Sequence, residues 1–132
     1  MKTYQNISQF VNKQSKKNGK KIAIIFEDKK ISYEKLEKII FNLSISFYSL
    51  GIKKGDKVAI VLSNSLEFVY IMLAAAKIGA VIVPYNISLP PEVMKNNFLY
   101  TKINFLIGWH KPVLEILKKS DIGKIIKKKI PF

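Results

Sequence analysis

The chain has 132 residues, no cysteine and a formal net charge of +14, and 48% of its residues are hydrophobic. This length fits one domain or part of one, and the composition is not that of a disordered chain. Disulfides, thiolate chemistry and cysteine-based zinc sites are excluded.

All 23 basic residues are lysine. Arginine supplies the bidentate fork that reads phosphate and guanine, so a dedicated nucleic-acid module without it is not expected. The charge is concentrated at the ends: net +6 over residues 1–30, +3 over 31–110 and +5 over 111–132. A solvated surface accounts for this pattern, with attraction to nucleic acid or anionic lipid as the alternative. MKTYQNISQF shows no secretory signal, so a cytoplasmic location is expected.

In chain order, Ile7, Phe10, Val11 and Gln14 predict a short amphipathic helix, and KKNGKK (16–21) a loop. IAIIF (22–26) is β-branched and reads as a strand. EDKK (27–30) reads as a turn, and KIS (30–32) as a short return strand. Ser32 is placed to cap a helix carrying Leu36, Ile39, Ile40, Leu43, Phe47 and Leu50, and Gly51 to end it.

GIKKGDK (51–57) is a polar turn, and VAIVL (58–62) lacks alternation, as a strand buried on both faces does. Ser63 or Asn64 is placed to cap a helix over 65–78, which Gly79 ends. AVIV (80–83) follows as a strand inside a helix-covered sheet, with Pro84 stopping its pairing. Pro91 opens a further helix carrying Val93, Met94, Phe98 and Leu99. NFLI (104–107) reads as a strand, VLEILKK (113–119) as a helix and GKII (123–126) as one more strand.

Strand and helix alternate, as in βαβ units with a parallel sheet, so the fold class is α/β. FVYIMLAAAKIGAVIV (68–83) is shorter than the ~20 residues of a membrane span and contains Lys77, so no transmembrane helix is expected.

Four motifs stand in order: ISYEKL (31–36), LGIKKGDKVAIVL (50–62), NSLEF (64–68) and LAAAKIGAVIVPYN (73–86). Together they resemble the N-terminal part of the adenylate-forming (AMP-binding) ligases, which include the acyl-CoA synthetases. MKNNFLYTKINFLI (94–107) fits the helix and strand that follow in that family. The resemblance covers roughly residues 5–110. It implies a partial parallel-sheet βαβ subdomain over 1–110, and a basic tail over 111–132 that either stands apart or continues it.

The resemblance also implies chemistry. Family enzymes join a carboxylic acid to ATP, forming an acyl-adenylate and pyrophosphate, and many pass the acyl group to coenzyme A. Their phosphate loop, adenine-side aromatic, Thr-Gly-Asp and C-terminal catalytic lysine lie further along their chains. None of these motifs occurs here, and the six glycines are scattered at 19, 51, 55, 79, 108 and 123. ATP, magnesium and coenzyme A are therefore expected for a full-length member and not for this segment.

No residue is assigned a catalytic, cofactor-binding or metal-binding role. Asn64 and Asn86 follow strands, on the edge where open α/β sheets bind ligands, but capping and turn roles suit both. Trp109 and His110 are the only Trp and His, and one histidine without clustered acids is not a metal site. Asp56 and Glu67 belong to different turns and form no acid/base pair. Lys77 follows no phosphate-loop pattern. KKSDIGKIIKKKIPF (118–132) reads as the end of a βα unit, with a basic membrane-surface helix as the alternative.

The expected role is a truncated acyl-CoA ligase segment, inactive alone, partnered by the missing remainder or by a second copy. The alternative is a small lysine-rich module for nucleic acid or an anionic membrane. The first role predicts an open sheet edge and exposed apolar surface.

Overall fold

The structure is a computed structural model that describes residues 6–108, 115 and 128–130. The described residues fall into two compact units. One lies within Met1–Lys53 and Ser65–Gly79, the other within Lys54–Asn64 and Ala80–Phe132.

In the first unit, the Asn6 side chain accepts the Gln9 N–H and opens α1 (Ile7–Asn18). The sequence placed Ile7 and Phe10 on the inner face, but both are exposed and the buried positions are Ser8 and Val11. The neighbouring Asn12 donates to Glu37 at 2.9 Å, which fixes this rotation. The helix also runs further than expected. Lys16 and Lys17, assigned to a loop, form its last turn, where cations suit the negative end of the helix dipole. Only residues 19–21 connect it to the next strand.

β1 (Ile22–Phe26) and β2 (Lys29–Ser32) form an antiparallel hairpin. The expected four-residue turn shrinks to Glu27 and Asp28, and Glu27 takes the left-handed conformation at φ 54°.

The Ser32 hydroxyl caps α2 (Tyr33–Ser49) by accepting the Lys35 N–H. The helix closes at Gly51, whose φ is 90°. Gly51 N–H donates to Tyr48 O at 3.0 Å and Ile52 N–H to Phe47 O at 3.1 Å. These are the paired bonds of a Schellman end, and its two apolar residues, Phe47 and Ile52, are fully buried.

α3 (Leu66–Lys77) is capped by Ser65, whose hydroxyl accepts the Phe68 N–H. The sequence offered Ser63 or Asn64, and both are instead exposed ahead of the cap. Gly79, at φ 76°, ends this helix as expected. Helices α1, α2 and α3 pack on one another around Val11, Leu36, Ile40 and Ile71.

The second unit holds a parallel sheet of β3 (Lys57–Val61), β4 (Val81–Pro84), β5 (Phe105–Gly108) and β6 (Lys128–Ile130), in the order β4-β3-β5-β6. β3 is central, and its residues Val58 to Val61 are buried, as the lack of alternation indicated.

β4 departs from the expectation. Among the described residues it is an edge strand of this sheet, not an interior one, and Val81 is exposed. Nor does Pro84 stop the pairing, for it sits opposite Ile60 and the ladder runs on to a Tyr85 N–H bond with Ile60 O. Val81 and Tyr85 turn their N–H groups toward β3. Pro84 therefore faces the open edge, where a missing N–H costs no ladder bond.

Pro91 occupies the first turn of α4 (Pro91–Thr101). Of the four apolar positions expected on it, Met94 and Phe98 are buried and Val93 and Leu99 exposed. The inward pair joins Ala59, Val61, Tyr85, Ile103 and Leu106 in one apolar cluster.

Trp109, His110, residues 123–126 and, apart from the helical Glu115, residues 113–119 lie outside the described residues. Among the described residues, no helix is long and apolar enough to cross a membrane.

Candidate functional site

The carboxyl edge of a parallel sheet is where ligands bind in open α/β folds, because loops diverge there and helix N-termini point outward. In the second unit this edge is formed by Leu62 to Asn64 after β3, Tyr85 and Asn86 after β4, and Gly108 ending β5.

Three positions of this edge have a structural use. Tyr85 turns inward, edge-on to Phe98 with ring centroids 4.7 Å apart. Its hydroxyl shares a 2.8 Å hydrogen bond with Thr101 Oγ1. Burial raises the Tyr85 hydroxyl above the ordinary tyrosine value, and the Thr101 contact offsets part of that rise. Asn86 Oδ1 accepts the Ser88 N–H at 2.9 Å, closing an Asx turn. Gly108 lies opposite Val61 on β3, and a Cβ there would run into the Val61 carbonyl oxygen. Only Ser63 and Asn64 remain exposed on the β3 side.

The opposite, amino edge is locked rather than open. Lys57 N–H donates to Asn104 Oδ1 at 2.8 Å, and Asn104 N–H returns a bond to Lys57 O at 2.9 Å. Lys57 Nζ donates to Thr101 O at 2.8 Å, at the C-terminal end of α4 where a cation is favoured. Asp56, at the same end, accepts the Val81 N–H through its backbone oxygen. Glu67 lies in the first turn of α3, in the other unit.

In the first unit, Lys77 Nζ meets Glu37 Oε1 at 2.7 Å, and Asn12 bonds to the same oxygen. Glu37 Oε2 is buried with no hydrogen-bond partner among the described residues. This polar link ties α1, α2 and α3 together. Pattern reading missed it, because Lys77 and Glu37 are 40 positions apart.

A nucleotide site needs backbone N–H groups converging at a helix N-terminus, a fixed cation and metal-ligating oxygens. Gly51 and Gly79 stand at the C-terminal ends of helices and Gly55 in the turn before β3, so none opens a phosphate-cradling helix. The segment before α3, residues 62–65, contains no glycine. Among the described residues, no three His, Cys, Asp or Glu side chains gather to hold a metal. Among the described residues there is neither a glycine-opened helix start nor a metal-ligating cluster, and no reaction step is assigned to them.

Comparison with known proteins decides what this scaffold belongs to. The AMP-binding enzyme family matches residues 11–130, nearly the whole chain. The chain belongs to the AMP-binding enzyme family.

A relative in this family is the crotonobetaine/carnitine–CoA ligase of Salmonella enteritidis. It is 37% identical over 113 residues, covering 76% of this chain and 22% of the ligase. The chain thus spans about a fifth of the length of that curated relative. Among solved structures, the N-terminal domain of FACL13 from Mycobacterium tuberculosis superposes with a TM-score of 0.89 at 25% identity, covering 98% of this chain and 34% of that one. The Klebsiella oxytoca NpsA N-terminal subdomain, solved with 3-hydroxyanthranilyl-AMSN, gives 0.75 at 30% identity, covering 79% and 27%. The AMP-binding fold therefore extends across both units of the chain.

Proposed function

We propose that this chain supplies the N-terminal scaffold of an AMP-forming acyl-CoA ligase and is inactive in adenylation by itself. One observation carries the reading. The family match runs over residues 11–130, yet the chain spans only 22% of the matched ligase. Lowering a barrier by the ~8–23 kcal/mol typical of enzymes takes preorganised charge around the reacting atoms. At the carboxyl edge of this sheet, Tyr85, Asn86 and Gly108 are spent on packing and turns. ATP, magnesium and coenzyme A are held by the remainder of such a ligase, which is the partner this scaffold needs. The pairing of Lys128–Ile130 with β5 supports residues 111–132 as a continuation of the same subdomain.

The test is complementation. The chain is co-expressed with the part of the Salmonella enteritidis ligase that follows the matched segment, and ATP–pyrophosphate exchange is measured with carnitine, crotonobetaine and simple carboxylic acids. The pair is expected to co-purify and to catalyse carboxylate-dependent exchange that neither piece shows alone. Pieces that fail to co-purify, or a co-purified pair without exchange, overturn the proposal.

A further inference from the structure

Residues 16–30, KKNGKKIAIIFEDKK, carry six lysines and two acids, net +4. Lys16, Lys17, Lys20, Lys21, Lys29 and Lys30 are all exposed, and among the described residues none of them forms an ion pair. The two acids, Glu27 and Asp28, are confined to the hairpin turn, and the next one, Glu34, lies in the first turn of α2.

The hairpin sets apolar side chains among these cations. Ile31 is buried, so the face it shares with its partner Ile24 is the inner one. Lys30 and Ser32 lie on the outer face, and their partners across the ladder are Ile25 and Ile22. Ile22 and Ile25 are three positions apart, and in a regular strand they would point to opposite faces. The register shift between Ile22 and Ile24 leaves Ala23 without a partner, as a β-bulge does, and brings both isoleucines to the outer face. There they are 46% and 66% exposed.

Lysine is depleted in the cores of protein interfaces, which disfavours a protein partner for this face. Surfaces that bind single-stranded nucleic acid join their cations to aromatic rings that stack on bases, and isoleucine offers no ring. Aliphatic side chains set among unpaired lysines suit an anionic bilayer. The isoleucines enter the boundary beneath the headgroups, while the long lysine stems let the ammonium groups stay at the level of the phosphates.

We infer that the outer face of the β1–β2 hairpin docks on an anionic membrane surface. Ile22 and Ile25 make the apolar contact. Lys20 and Lys21, just before Ile22, and Lys30, opposite Ile25, are the nearest cations in sequence and register. A lysine held near such a surface strengthens binding about fivefold, and salt screens the attraction. The inference is independent of the ligase reading, and its readout involves no activity.

The test is co-sedimentation of the intact chain with phosphatidylcholine vesicles, with and without about 30% phosphatidylserine. The chain is expected to bind only the anionic vesicles and to be released by about 0.5 M NaCl. Lys20→Glu, Lys21→Glu and Lys30→Glu together are expected to weaken binding at least about twentyfold. The same charge change made as Lys118→Glu, Lys119→Glu and Lys124→Glu is expected to weaken it less than about fivefold. Ile22→Thr with Ile25→Thr keeps the β-branched shape and is expected to weaken it about fivefold or more.

The absence of native cysteine allows a check that removes no lysine. Ile25→Cys carrying a polarity-sensitive dye is expected to shift its emission to the blue on anionic vesicles, whereas Asn42→Cys, exposed on α2, is not. No binding to anionic vesicles, equal binding to neutral ones, equal losses from the hairpin and tail reversals, or an isoleucine pair without effect overturns the proposal. So does a shift of the Ile25→Cys dye produced by polyuridylate, by the ligase remainder or by raised chain concentration and not by vesicles, since each assigns the face to another occupant.

Discussion

Lys77 and Glu37 meet at 2.7 Å with only 22% and 14% of their side chains exposed, joining the last turn of α3 to the second turn of α2. Removing one member of such a pair strands the other in a poorly solvated place. Lys77→Ala is predicted to lower stability by about 2–4 kcal/mol, toward the lower part of the range for buried pairs because both groups retain some solvent. The double variant Lys77→Met, Glu37→Leu leaves no unpaired charge and is predicted to recover most of that loss. Urea unfolding of the three proteins checks both outcomes.

Ser65, not its cap-competent neighbours, holds the start of α3. Ser65→Ala is predicted to cost about 1 kcal/mol, the usual value of a lost N-cap. Ser63→Ala and Asn64→Ala are predicted to stay within about 0.5 kcal/mol of the parent. Chemical denaturation separates the three.

Gly108 and Gly51 are required for different reasons. A Cβ on Gly108 meets the Val61 carbonyl, a backbone group that cannot swing away, so Gly108→Ala is predicted to cost about 1–3 kcal/mol through overpacking. At Gly51 nothing lies within 4 Å of an added Cβ, but φ is 90°. Gly51→Ala is predicted to cost about 1–2 kcal/mol from backbone conformation alone. Gly51→Asn, which tolerates the left-handed region better, should cost less than Gly51→Ala, whereas at position 108 the larger side chain should cost more than alanine.

Burial raises the Tyr85 hydroxyl above its ordinary value of 10.0, and the same cause, with Glu67 nearby, raises Tyr70. The unfolded chain therefore loses these protons first. The stability they contribute is complete below about pH 10 and declines as pH rises through the folded-state values. Tyr85→Phe is predicted to flatten the decline above pH 10 relative to the parent. It should also cost about 1 kcal/mol at pH 7 from the lost Thr101 bond. Denaturation at pH 8 and pH 11 measures both effects.

Much of the fold was legible because its punctuation is local. Ser32 and Gly51 bracket α2, Gly79 ends α3 and Pro91 opens α4, each by chemistry that operates within one helical turn. Ser63, Asn64 and Ser65 stand in a row, and propensity does not say which of three competent caps is used. Pro84 was misread because its effect depends on whether β4 lies at an edge, which is a property of strand order. The exposure of Ile7 and Phe10 follows from where α1 docks.

The polar locks left no local signal. Lys57 reaches Asn104 across 47 positions and Lys77 reaches Glu37 across 40. Asn64 and Asn86 do follow β3 and β4, as the order of apolar runs indicated. The inward turn of Tyr85 and the need for glycine at 108 come from packing against α4 and β3, which no motif records.

The central claim is that this chain is scaffold without the chemistry of its family. It is tested most directly by ATP–pyrophosphate exchange with the purified 132-residue chain, magnesium and a panel of carboxylic acids. The account predicts no exchange above the protein-free background with any acid. Carboxylate-dependent exchange by the chain alone, rising in proportion to its concentration, would contradict it.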